Sequence, residues 1–390
     1  MLDARLIEQE FGYMKGHVYL NSSLVGMPPE RVKDACRVFM DEYVATFNES
    51  IKSDLLAKRV VAKENFAKLI NCSPDDINFQ KNATEANATF AMGYAELKPG
   101  TNAIIVDSDF PNTIFPWINA HKQRGFELKV YKTTRGQIPA DEIIAMMDEN
   151  TKVVALAAVQ SGWGYFADLK AIGTECRKRG IAFAVDAFQG LGRVNIDVQD
   201  CCIDYLVCGG FKALMGTWGA SFVYCRQETA LKLFPPTAGY QGVKSHNLAP
   251  KVTTEFDELD FYDSIRRIEA GGQCTYAIHA TSKGIELIHE LGKNNVEKHV
   301  LRLEAYLRAK LASLPLDVIT PDDPARCSGM VVLLYPEELT ERAKELFKKY
   351  VIHATMRNGY IRMTIALFNT QEDMDIVYQA LSELCREIKG

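Results

Sequence analysis

The feature that most constrains this chain is a regular alternation, between about residues 50 and 230, of short β-rich runs with helical stretches. The runs NAIIVDSD, FELKVYKT, KVVALAAVQS, IAFAVDAF, DYLVCGG and ASFVYCR are separated by segments such as ADLKAIGTECRKRG. That alternation predicts a mostly parallel α/β sheet covered on both faces. In such sheets ligands bind beyond the carboxyl ends of the strands. Asp107, Ser161, Asp186 and Gly209, which lie near those ends, therefore mark where chemistry is to be sought.

After Pro235 and Pro236 the pattern loosens through PPTAGYQGVKSHNLAP, and a long helical region follows from about residue 275 to 312. MVVLLYP, ELTERAKELFKKY, IRMTIAL and a last helix from Glu372 then read as a small α+β unit. The expected organisation is an N-terminal segment over 1–20 packing with the small domain, a large domain over 21–275, a linking helix over 276–312 and a small domain over 313–390. A chain of 390 residues exceeds the roughly 250–300 that one core sustains.

The net charge of -5 and pI of about 5.9 arise without a long basic run, so a nucleic-acid partner is not expected and a small molecule is. No apolar stretch reaches the roughly 18 residues of a membrane span. The opening MLDARLIEQEFGYMKG carries charges where a signal peptide needs its apolar region, so a cytoplasmic location is expected. The 10 cysteines are dispersed through a long chain and read as reduced thiols. Cys201, Cys202, Cys208 and Cys225 form no C-x₂-C pair and have no nearby histidine, so no metal is expected.

The densest signal is IAFAVDAFQGLGRVNIDVQDCCIDYLVCGGFKALMGTWGASFVYCR. One apolar strand ends at Asp186, Gln189 follows, and a second strand leads into Gly209-Gly210-Phe211-Lys212. A pyridoxal-phosphate (PLP) enzyme needs a carboxylate against the pyridine nitrogen to keep it protonated, and a lysine to carry the aldehyde and move a Cα proton. Asp186 and Lys212 suit those roles. Ala83 and Thr84 open the helical segment TEANATFAMGYAEL, where free N–H groups and the positive dipole end favour a phosphate. A plain N-cap role for Thr84 is the alternative.

The segments VYLNSSLVGMPP, KNATEA, DSDFPNTIFPW, VDAFQGLG with GGFK, RRIEAGG and IRMTIALFNTQEDMD stand in one order along nearly the whole chain. In that order the sequence resembles the class V aminotransferase family of fold-type I PLP enzymes, which includes cysteine desulfurases, kynureninases and an isopenicillin N epimerase. The resemblance implies a large domain with a mostly parallel seven-stranded sheet and a small α+β C-terminal domain. It makes Asp186 the pyridinium partner, Gln189 a donor to the ring 3-oxygen and Lys212 the Schiff-base lysine. It places Ala83, Thr84, Phe110 and Ser161 around the cofactor, Asn21 and Ser22 over the substrate side, and Arg362 on the substrate α-carboxylate, with Arg357 a competitor for that task. It further implies a homodimer in which a loop from the neighbouring subunit reaches the cofactor phosphate. EAGGQ puts Gly271, Gly272 and Gln273 at that loop, without the family's threonine.

The chain departs from its relatives elsewhere. Phe110 stands where desulfurases place a histidine over the ring; a phenyl group stacks but transfers no proton. Phe211 and Gly209 replace a histidine and a serine that touch phosphate. HATMRNGY lacks the persulfide-carrying cysteine, and Cys327 in DDPARCSGM is the nearest substitute. Of the 7 histidines, His246 and His353 alone lie near site segments. The resemblance therefore implies an enzyme that takes an amino acid through an external aldimine and loss of the Cα proton. A C–S, β-eliminating lyase is expected first, and an epimerase or aminotransferase next. A PLP-fold regulatory protein without turnover is the reading from another class.

Overall fold

The computed structural model describes residues 2–45, 50–244 and 259–388; His246 lies outside them. Its central seven-stranded sheet has the order Ile77–Gln80, Ser221–Cys225, Tyr205–Gly209, Ala182–Asp186, Thr151–Ala157, Asn102–Val106, Glu127–Tyr131. The pairs from Tyr205–Gly209 through Glu127–Tyr131 are parallel, and Ser221–Cys225 is antiparallel to both neighbours. Each run read as β-rich is a strand. The strand missed by sequence, INFQ, is short and half polar, and its pairing with Ser221–Cys225 places it at the edge.

Every residue of Ala182–Asp186, Tyr205–Gly209 and Ser221–Cys225 is buried, as a sheet covered on both faces requires. Alternate residues enter different cores: Phe183 and Val185 join one cluster, Ala182 and Ala184 the other. Each fully buried Val, Ile, Leu or Phe contributes roughly 1.5–3 kcal/mol. Helices Ala83–Gly93 and Pro111–Arg124 cover one face through Ala86, Phe90, Trp117 and Ala120; Leu169–Arg179 and Thr275–Leu291 supply Ile172, Cys176, Ile278 and Ile285 to the other.

The stretch expected as one linking helix over 276–312 is two helices, Thr275–Leu291 and Lys293–Leu311. Gly292, at φ +80°, takes the chain out of helical geometry between them. Beyond them an antiparallel sheet of order Thr355–Arg357, Tyr360–Thr364, Met330–Leu334, Asp317–Val318 packs with helices Thr340–Lys349 and Gln371–Ile388. Near the N-terminus Val18–Tyr19 pairs in parallel with Ile352–His353, and Asn21 bridges to Thr364, so the opening segment is stitched to the C-terminal sheet. No helix of the described residues is long and apolar enough to cross a membrane.

Candidate active site

Asp186 ends its strand at the carboxyl edge of the sheet and is 8% exposed. Asn87 Nδ2 (3.1 Å) and Thr113 Oγ1 (2.8 Å) donate to its Oδ2, and the Phe188 N–H donates to Oδ1 at 3.0 Å. The carboxylate is thus held by groups from the two helices over that face of the sheet. Asn87 and Thr113 escaped the sequence reading; the one signal for Asn87 is a polar residue among the apolar ones of TEANATFAMG.

Lys212 follows the turn that closes Tyr205–Gly209. Its Nζ lies 4.1 Å from the Phe188 ring centroid and 5.7 Å from that of Phe110, with no hydrogen bond or ion pair among the described residues. Burial pushes its pKa down to about 8; the Asp186 charge opposes this, and the Arg362 and Arg193 charges reinforce it. An amine so poised is half neutral near pH 8 and largely neutral above it, and the neutral form is the one that accepts a proton or attacks a carbonyl.

Gln189 donates from Nε2 to the Ser23 carbonyl (3.1 Å), while its Oε1 is buried without a partner. The Gly26 N–H donates to the Phe211 carbonyl at 2.8 Å, so the opening segment lies against the lysine turn. The helix over the sheet is capped by Asn82, whose side chain accepts from the Glu85 N–H. Thr84 is therefore not the cap. The N–H groups of Ala83 and Thr84, in the first helical turn, have no intrahelical acceptor.

Arg362 is 9% exposed on Tyr360–Thr364. Its Nη1 donates to the Ser161 carbonyl (2.5 Å), its Nη2 to Thr355 Oγ1 (3.2 Å), and its Nε is buried without a partner. Ser161 thus meets Arg362 through its backbone oxygen. Thr355 Oγ1 in turn donates to Asn21 Oδ1 (2.7 Å), which draws Asn21 into the same chain of bonds. The Ser22 hydroxyl is engaged with the Thr364 carbonyl (3.3 Å). Arg357 is exposed, unlike Arg362.

Other residues stand apart. Gln273 donates to Asn78 Oδ1 (3.1 Å) and accepts from Arg59 (3.2 Å), placing the Gly271–Gly272 turn by the Ile77–Gln80 edge strand rather than the strand that ends at Asp186. His353 is exposed and pairs with His17 at 3.0 Å. The Cys327 thiol is pushed up to about 12, chiefly by burial, and lies against Arg308, Pro321 and Asp323.

The family model for aminotransferase class V matches residues 18–377. A probable cysteine desulfurase of Methanothermobacter thermautotrophicus is 23% identical over 401 residues, covering 97% of each chain. The apo cysteine desulfurase from Thermococcus onnurineus NA1 superposes with a TM-score of 0.88 at 19% identity, over 99% of this chain and 100% of that one. A cystine C–S lyase in complex with its reaction product cysteine persulfide gives 0.84 at 16% identity, over 96% and 99%. The structural matches show the fold.

Proposed function

The chain belongs to the class V aminotransferase family of PLP-dependent enzymes, and from that premise we propose that it takes an α-amino acid, removes the Cα proton with the Lys212 amine and expels a sulfur group from Cβ. The residues present fit the cofactor. Gln189 Oε1 is buried without a partner, Lys212 has no counter-ion among the described residues, and the first turn of Ala83–Gly93 offers open N–H groups. Lys212 would hold the aldehyde, Asp186 the ring nitrogen, Gln189 the ring oxygen, and Ala83 with Thr84 the phosphate. Phe110 would pack on the ring. Bound there, the cofactor supplies an electron sink for the bond broken at Cα.

One observation carries the choice of elimination: Lys212 Nζ lies near the rings of Phe110 and Phe188, with no second proton-transferring side chain bonded to it among the described residues. Lys212 Nζ takes the Cα proton, and the Cβ–S electron pair leaves on sulfur as a thiolate, a group that departs without an acid. The remaining three-carbon fragment hydrolyses to pyruvate and ammonia. Arg362 fixes the α-carboxylate with Asn21 and Thr355 behind it. Two-base epimerisation has no second base bonded to Lys212 among the described residues. A persulfide relay finds no cysteine in HATMRNGY, and the raised Cys327 thiol is a poor nucleophile.

Borohydride should fix the cofactor on Lys212, and L-cysteine or an S-substituted cysteine should yield pyruvate with sulfide or thiol. A Lys212→Ala protein that still traps the cofactor, or a sulfur-retaining keto acid as sole product, would refute the scheme; the latter selects transamination. Pairing of two copies is supported by exposed Leu56, Val60 and Val61 on helix Ser50–Ile70 and Met40, Tyr43 and Val44 on Glu30–Ala45. A monomer in light scattering would remove that part.

A further inference from the structure

Asp109 takes no part in the chemistry above, yet it is a carboxylate only 5% exposed, just beyond the strand Asn102–Val106. Its Oδ2 accepts from the N–H of Ala157 (2.9 Å), which ends the neighbouring strand, and its Oδ1 accepts from Gln160 Nε2. It forms no ion pair among the described residues. Gln160 is fully buried, and its Oε1 accepts from the Ser108 hydroxyl (2.6 Å), which fixes the amide with its N–H groups towards Asp109.

Gln160 closes the turn that follows it. Its N–H donates to the Tyr165 carbonyl (2.9 Å), and its carbonyl accepts from the N–H groups of Trp163 (3.3 Å) and Gly164 (2.8 Å). The next two carbonyls of that turn meet the C-terminal sheet: Ser161 accepts from Arg362 Nη1, and Gly162 from the Tyr360 hydroxyl (3.0 Å). Tyr360 and Arg362, two residues apart, share one face of their strand. With Thr355 on Nη2, the Ser161 carbonyl leaves Arg362 held at two points, with its Nε buried and unpartnered. A carboxyl group buried among neutral partners costs stability, and what this one secures is the turn on which Arg362 rests.

We propose that Asp109 is a positioning residue for substrate binding: through the Gln160 amide it fixes the Ser161–Gly162 turn and so holds Arg362 in the orientation that receives the substrate α-carboxylate. This rests on the role given to Arg362. An arginine side chain has many rotamers, and one held in place beforehand loses less entropy when a carboxylate arrives. Asp109 itself touches neither substrate nor cofactor in this scheme, so its removal acts on affinity and not on the proton transfer at Lys212.

The test titrates cofactor-loaded protein with propionate, which lacks an amine and does not react, while the visible band of the cofactor is read. KM and kcat for L-cysteine and the melting temperature are measured alongside. Asp109→Leu and Gln160→Met each delete one side of the pair; both are expected to bind propionate about tenfold more weakly and to raise KM by a similar factor, with kcat within about twofold of the parent. Gln160→Glu sets two carboxyl groups face to face and should be at least as weak. The exchange Asp109→Asn/Gln160→Glu again sets an amide donor against a carboxylate and should bind propionate within about twofold of the parent. Parent-like propionate affinity in Asp109→Leu or Gln160→Met overturns the proposal even where the melting temperature drops. So does an exchange variant no better than Gln160→Glu, or a fall in kcat at constant KM. An Arg362→Gln protein with unchanged propionate affinity instead overturns the α-carboxylate assignment. Should the single variants not fold, the exchange variant decides: parent-like affinity supports the pair, and a tenfold loss overturns it.

Discussion

The phenyl ring of Phe188 fills the space that a side chain at Gly209 would need: a Cβ built on Gly209 meets Phe188 Cζ at 2.5 Å and Cε2 at 2.6 Å. The ring stands edge-on to Phe211 (centroids 5.0 Å apart, 88°), and Phe211 stacks on the exposed Trp218 (5.1 Å, 25°). The glycine and phenylalanine that replace a serine and a histidine of the family are thus one coordinated change, an aromatic row beside Lys212 in place of polar groups.

Gly209→Ser should therefore fail by overpacking, at a cost of roughly 1–3 kcal/mol. Phe188→Ala/Gly209→Ser should recover most of that loss, because the smaller residue vacates the space the hydroxymethyl group enters. Denaturant unfolding of the parent, both single variants and the double variant gives the coupling directly. Additive single effects would show that the contact is not what excludes a side chain at position 209.

The Lys212 amine gives a pH signature in cofactor-free protein. Its folded pKa of about 8 lies below the ordinary 10.5, so between those values the unfolded chain binds more protons and stability rises with pH. The cost of burying the ammonium is present in full below pH 8 and fades as pH climbs towards 10.5. Lys212→Met should accordingly stabilise the cofactor-free protein by roughly 3 kcal/mol at pH 7, with the gain shrinking above pH 8. A gain that does not change with pH would place the benefit in packing alone.

Thr355 positions Arg362 rather than touching substrate: its Oγ1 accepts from Arg362 Nη2 and donates to Asn21 Oδ1. Thr355→Val should raise KM roughly three- to tenfold, the scale of one net hydrogen bond, with kcat little altered. Thr355→Ser should restore the parent KM. A fall in kcat at constant KM would move Thr355 out of substrate positioning.

The sheet was legible because its strands are short apolar runs with a helix between most neighbours, and Asp186 and Lys212 were legible because both follow such runs. The edge strand INFQ was not, since its definition comes from pairing with a partner far along the chain. Nor does local sequence mark Thr355 or Phe188. The roles of Thr355 and Phe188 arise from contacts with Arg362 across a hairpin and with Gly209 across a crossover. The break at Gly292 was visible as a glycine in a helical pattern, and its positive φ decides between a tolerated residue and a stop.

Asp109, beside Phe110, is a second buried group that the sequence did not single out, and it predicts an opposite pH trend. Burial raises its pKa to about 7, against the pull of hydrogen bonds from Gln160 and the Ala157 N–H. The folded state therefore holds a proton that the unfolded chain releases near 3.8, so stability falls as pH rises through that window and the loss is complete above about 7. Asp109→Asn cannot ionise. Its amide oxygen still accepts from the Ala157 N–H, and Gln160 can turn its own oxygen inward because the Ser108 hydroxyl that now donates to Gln160 can instead accept. The variant should match the parent below pH 4 and exceed it in stability by roughly 4 kcal/mol above pH 7. If parent and variant instead run parallel from pH 4 to 8 in denaturant unfolding, Asp109 stays ionised in the fold and the buried pair with Gln160 is charged.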